Sequence, residues 1–173
     1  MSSARVEIEG LGPLLRALRD DAGLADVMRK ALYKIGAHAD EASKREAPVD
    51  VGKLRGSIIF EVDPSPMPGF VRIGTVGPQR PTYAAFMEFG TGTRHDHPNW
   101  PRRPHRVPPA ALQRWAKRKS RSGEDFNAFS VARAITARGG LEPRRYLRGP
   151  FEQNQARYVA EIRTALGRLR LRG

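Results

Sequence analysis

Leu24 to Ala47 reads LADVMRKALYKIGAHADEASKREA, and its apolar residues recur at steps of three and four: Leu24, Val27, Met28, Ala31, Leu32, Ile35, Ala39 and Ala42. That spacing places them on one stripe of a long amphipathic helix. Pro48 ends the helix, because the residue before a proline is pushed out of the helical region. A stripe this long needs a surface to cover, and the flanking sequence supplies strands. Ser57 to Asp63 alternates, with Ile58, Phe60 and Val62 on one face. Phe70 to Val76 reads as its antiparallel partner across Pro64 to Gly69, a loop too rich in proline for a central strand. Upstream, Arg5 to Glu9 alternates as a short strand with Val6 and Ile8 inward. Gly10 to Pro13 turns the chain, and Leu14, Leu15 and Leu18 carry a helical pattern up to Gly23. The fold expected is α+β: a small antiparallel sheet packed against a long helix.

Downstream the pattern changes. Thr82 to Phe89 fits a strand or a helical turn, with a dense apolar load in Tyr83, Phe86, Met87 and Phe89. From Gly90 to Pro109, prolines 98, 101, 104, 108 and 109 alternate with Arg102, Arg103, His105 and Arg106, which predicts an extended loop with little capacity to pack. Pro109 suits the first position of a helix running through Leu112 and Trp115 to Lys119. Asp125 is placed to cap a second helix carrying Ala128, Val131, Ala132 and Ile135, closed by Gly139-Gly140. A final helix is expected from about Pro150 to Leu171, lined by Tyr158, Ile162, Ala165 and Leu169. The 173 residues suit one domain, with a core of about 5–91 and 143–172 and an inserted basic loop and two helices at about 92–142.

Lys and Arg number 31 against 18 Asp and Glu, a net charge of +13. Met1 to Trp100 is neutral, with 13 of each sign, so Pro101 to Gly173 holds the whole excess. Such asymmetry suits a polyanion or an acidic partner surface. Cysteine is absent, which excludes a disulfide scaffold, a cysteine-based zinc site and thiol catalysis. No apolar run approaches the roughly 20 residues that span a bilayer, and Met1 to Arg5 has no apolar leader character, so a soluble protein of a reducing compartment with no membrane partner is expected.

Catalytic chemistry finds little footing. No Gly-x-Ser-x-Gly elbow or phosphate-binding loop is present, and Gly90-Thr91-Gly92-Thr93 reads as a tight turn. His95-Asp96-His97 with His105 is the one metal-ligand candidate, read as exposed polar residues, and His38 reads as a surface or satisfied boundary residue. Asp50 and Glu88 lie in distinctive segments, but nothing brings them together for hydrolysis. No catalytic residue, metal or cofactor is assigned. Lys117, Arg118, Lys119, Arg121, Arg144, Arg145 and Arg148 are candidate phosphate contacts, with Trp115 and Tyr146 near some of them. Without a base-reading motif, such contacts would be salt-sensitive and blind to sequence.

Four segments, in order, resemble the tail-component or neck family of long-tailed double-stranded DNA phages: Val6 to Leu11; Ala47-Pro48-Val49-Asp50-Val51-Gly52-Lys53-Leu54-Arg55-Gly56-Ser57-Ile58; Tyr83 to Thr91; and Pro143 to Phe151. The resemblance implies a small α+β virion protein, not an enzyme, acting at head–tail joining or tail completion. It implies a subunit of a ring, with six copies expected, around the channel through which the genome leaves. Its partners would be neighbouring neck, head-completion, tail-terminator and tail-tube proteins and the passing DNA, and its place the virion, after assembly in the host bacterial cytoplasm. On that basis Pro48, Asp50, Gly52, Leu54, Arg55, Glu88, Phe89, Trp100, Arg102, Arg103 and Arg106 are the expected interface residues. Pro98 to Pro109 would be an arm reaching an adjacent subunit or ring. The chain departs from the shorter family pattern between Thr91 and Pro143. A free, sequence-nonspecific nucleic-acid-binding protein is the alternative reading of the same charge.

Overall fold

The computed structural model describes residues 4–5, 22–50, 52–63, 69–76, 81–121 and 127–170. The expectations for Val6 to Asp21, Pro64 to Pro68, Asp125 and Leu171 lie outside the described residues, as does the side chain of Leu169. The fold is α+β, and it divides into two compact units: Met1–Pro81 with Tyr146–Gly173, and Thr82–Arg145.

The first unit is built on helix α1, Ala22–Glu46. Leu24, Met28, Ala31, Leu32, Ile35, Ala39 and Ala42 are all buried, the stripe expected from their spacing. The Ala47 amide donates to the Ser43 carbonyl (2.9 Å) and prolongs the last turn up to Pro48. The stripe covers an antiparallel sheet of order β1-β3-β2, made of β1 (Ala4–Arg5), β2 (Ile58–Asp63) and β3 (Phe70–Thr75). Ile58 pairs with Thr75 and Asp63 with Phe70, while Ala4 lies opposite Ile73. Ile58 and Ile73 are buried and Glu61 is exposed, so the strands have one core face. Gly36 sets how closely α1 meets the sheet. A Cβ there would stand 2.3 Å from Cδ2 of Phe60, whose ring Tyr33 meets edge-on at 5.2 Å.

Between α1 and β2, Gly52 takes a left-handed φ of 77° and starts the single-turn helix α2, Lys53–Gly56. Leu54 drops into the core, and Ser57 Oγ donates to its carbonyl (2.9 Å).

The C-terminal part of this unit is two helices, α6 (Arg148–Gln153) and α7 (Gln155–Arg170), instead of the single helix expected from Pro150. Asn154 makes the break. Its side-chain Nδ2 donates to the Pro150 carbonyl (2.7 Å) and so competes with its own amide, which is left shared between the Pro150 and Phe151 carbonyls (both 3.2 Å). Tyr158, Ile162 and Ala165 remain buried, and α7 packs along α1. Lys34 pairs with Glu161 across that seam (2.9 Å).

His38 lies half-buried at the same seam. The Arg157 guanidinium donates to Nε2 (2.6 Å), and a guanidinium can only donate, so Nε2 is unprotonated. The proton then sits on Nδ1 and faces Tyr158 Oη (3.2 Å). Burial, and next the Arg157 charge, hold the His38 pKa below its ordinary value, with Arg45 acting in the same sense and Glu41 against it; burial raises that of the Tyr158 hydroxyl.

The second unit begins with helix α3, Ala84–Phe89. The helical option holds for Thr82 to Phe89, because Met87 and Gly90 amides bond back four residues to Tyr83 and Phe86. An irregular run follows to Pro108. Helices α4 (Pro109–Ser120) and α5 (Ala128–Ala137) then pack on each other through Ala116 and Ala132. The cap of α5 is Asn127, whose side chain accepts from the Phe129 amide (2.9 Å). Past α5, the Gly139 and Gly140 amides close the helix on Thr136 and Ile135.

Two measurements follow from this packing. Gly36→Ala lowers the thermal midpoint despite alanine's helix preference of about 1 kcal/mol, because overpacking costs about 1–3 kcal/mol. Gly167→Ala, on α7 with nothing within 4 Å of the added atom, raises it. For His38, the unfolded ring titrates near 6.5 and the folded ring lower, so the unfolded state binds more protons in between. Stability contributed by the seam is complete above about pH 6.5 and falls as pH drops through the folded value. Urea midpoints of His38→Gln show a shallower decline with acid than those of the natural sequence.

Candidate interaction surfaces

In the second unit, two distant stretches of backbone touch. The Thr91 amide donates to Leu141 O (2.9 Å), the Thr93 amide to Gly139 O (2.8 Å), and the Leu141 amide to Thr91 Oγ1 (2.9 Å). The approach needs glycine: a Cβ on Gly92 would lie 1.9 Å from Gly139 O, and one on Gly140 would lie 2.0 Å from Thr91 O. The pairing continues where the Arg144 amide donates to Met87 O (2.9 Å) and the Arg145 amide to Glu88 O (3.2 Å). Tyr83–Thr91 and Pro143–Arg145, parts of two segments that carry the resemblance, are thus stitched together. Arg145 holds a left-handed φ of 50°, kept by that amide bond and by its Nε donating to Asp96 Oδ2 (2.9 Å).

The expected interface residues separate by burial. Asp50 and Arg55 are exposed on the first unit, beside an exposed Val49, while Pro48 and Gly52 are half-buried. Leu54 and Glu88 are buried within the chain itself: Leu54 is sealed in the first core and Glu88 is 2 % exposed on α3. Both segments are apolar-rich, and their inward positions are taken by the side chains next to the turns. Phe89 is half-buried, its ring 4.6 Å from His97 and 5.8 Å from Trp100. Trp100 is half-buried too, stacked on His97 at 4.4 Å and 14°. Arg102, Arg103 and Arg106 are exposed.

The proline-rich run is extended, yet it is fastened at both ends. Trp100 holds one end, and the Val107 amide donates to Thr136 Oγ1 (3.4 Å) at the other. Its histidines are not the exposed polar residues expected. His95 is 4 % exposed, while His97 Nδ1 accepts from the Asn99 amide (3.2 Å). His95, Asp96 and His97 point to different tasks, and no group of three or more metal-ligating side chains occurs among the described residues.

The candidate phosphate contacts also sort themselves. Lys117, Arg118 and Arg121 are exposed, and Arg114, which the sequence reading passed over, joins them. Positions 114, 117, 118 and 121 share one face of a helix by their three- and four-residue spacing. Lys119 falls on the other, half-buried side with Leu112, Trp115 and Ala116. Arg144 is exposed. Arg145 meets Asp96, and Arg148, on α6 of the first unit, lies 3.9 Å from Glu152. The second unit holds thirteen Lys and Arg against five Asp and Glu, so it carries +8 of the chain's +13. No protein-family model matches the chain, and no curated protein or solved structure matches it.

A polyanion held by α4 would be held through this stripe. Replacing Arg114, Lys117 and Arg118 by Gln lowers the slope of log K against log salt for duplex DNA by about 0.9 per lost phosphate contact. Lys119→Gln changes that slope less, as filter binding over a salt series measures.

Proposed function

We propose that this chain is a structural, non-enzymatic subunit of the neck or tail-completion region of a long-tailed DNA phage or phage-like particle. It forms a six-fold ring that joins head to tail around the DNA exit channel. It is assembled in the host cytoplasm, and it meets neighbouring neck, head-completion and tail-terminator or tail-tube proteins. The observation that carries the reading is the ordered set of four resembling segments, two of which are joined backbone to backbone where the Arg144 amide donates to Met87 O and the Arg145 amide to Glu88 O. A closed ring needs a heterologous interface, in which two different patches of one subunit meet. The exposed Asp50 and Arg55 and the arginines of the proline-rich run mark two such patches, one in each unit.

A second reading, a free nonspecific nucleic-acid-binding protein, draws on one observation, the basic stripe of α4. The two differ in what the isolated protein does: a connector retains duplex DNA weakly at physiological salt, and a dedicated binder retains it strongly.

The arginines of the run supply the test of the first reading. A variant with Arg102, Arg103 and Arg106 all changed to Gln keeps its fold, since all three are exposed. When it replaces the natural protein during particle assembly, joined particles fall and unattached tails accumulate, as counted by electron microscopy. Undiminished joining removes the arm from the interface.

A further inference from the structure

His95 poses a problem that the ring reading does not solve. It is 4 % exposed, and neither ring nitrogen has a hydrogen-bond partner among the described residues. A buried imidazole left in that state costs about 1–3 kcal/mol, so such groups are rare and usually have a use. His95 lines a hollow of about 220 Å³ in the second unit, together with Phe86, Trp100, Pro101, Arg103 and Pro104. The walls are mostly apolar, Phe86 is 43 % exposed, and the volume suits one large side chain. We propose that this hollow is a docking site for an acidic segment of a partner protein, with one carboxylate accepting a hydrogen bond from His95 and pairing with Arg103.

Charge selects the occupant. From His97 to Gly123 the sequence has no Asp or Glu, while Arg102, Arg103, Arg106 and Arg114 stand exposed on that stretch. Of the described acids of the second unit, Asp96 meets Arg145, Glu142 pairs with Arg94, and Glu88 is buried. A cationic segment would meet the like charges of Arg102, Arg103 and Arg106. An acidic one supplies an acceptor that a guanidinium and an imidazole both bind in charge-assisted fashion. The apolar lining takes the methylene stem or an adjacent aliphatic side chain.

The ring geometry disfavours a nucleobase. Trp100 has His97 stacked on it, and Phe86, Phe89 and His95 all meet it steeply, at 64°, 64° and 65°. His97 thus already stacks on the indole, and the other rings around it stand edge-on instead of forming the parallel platform that stacks unpaired bases. The site stands on the second unit alone, and it holds whether or not the chain belongs to a particle.

The test uses the full chain with ring-labelled histidine, followed by nitrogen NMR. The probes are a short acetylated peptide of alternating Glu and Leu, its Gln-for-Glu counterpart, and a short oligothymidylate. The Glu peptide shifts the His95 ring resonances, and both His95→Phe and Arg103→Gln weaken its binding at least about tenfold, as expected for a charge-assisted pair. Arg138→Gln, elsewhere on the same unit, leaves binding unchanged. Arg103→Gln alone decides the matter if His95→Phe does not fold, because Arg103 is exposed. Equal binding of the Gln counterpart, binding undiminished by the replacement at Arg103, or a His95 shift produced by oligothymidylate and not by the Glu peptide overturns the proposal.

Discussion

Backbone contact at Gly92 and Gly140 holds the second unit together. These two glycines let Thr91–Thr93 and Gly139–Leu141 approach until carbonyl oxygens lie where side chains would otherwise stand. The contact closes a loop of 46 to 50 residues, which costs ordering entropy, and the hydrogen bonds to Thr91, Thr93 and Leu141 offset it. Everything between those ends depends on the closure: the burial of His95, the fastening of Val107 to Thr136, and the placing of three exposed arginines on a proline-stiffened run. The hydroxyls of Thr91, Thr93 and Thr136 all serve as joints.

The two units answer different physical demands. The first is an ordinary helix-on-sheet core, in which the α1 stripe, the β2–β3 pair and α7 exclude water from each other's apolar faces. The second has fewer buried side chains and a large positive excess, and its order rests on directed hydrogen bonds more than on apolar volume. Proline supplies stiffness there without needing a core, since its fixed φ removes freedom from the unfolded chain as well. A surface built this way can present charge at fixed positions.

What was readable in the sequence is what repeats. The α1 stripe, the alternation of Ile58, Phe60 and Val62, and Pro109 as the first residue of α4 all follow from periodic or positional rules that act within a few residues. The α4 stripe was readable on the same grounds, through Arg114 at the spacing of its neighbours. The break at Asn154 was not, because it turns on one side chain competing for one carbonyl within a good helical pattern. Nor was the helicity of Ala84–Phe89, where apolar residues crowd without period. The burial of His95 and Glu88 and the pairing of Arg145 with Asp96 lay beyond reach for another reason. Their surroundings come from residues about fifty positions away or from aromatic packing, and the flanking residues are charged.

The proposed function makes this chain a joint, whose value lies in what it holds together. Electron microscopy of particles assembled without the protein tests that most directly. The account predicts DNA-filled heads lying beside separate tails, with joining restored when the protein is supplied. Complete, joined particles formed in its absence would contradict it.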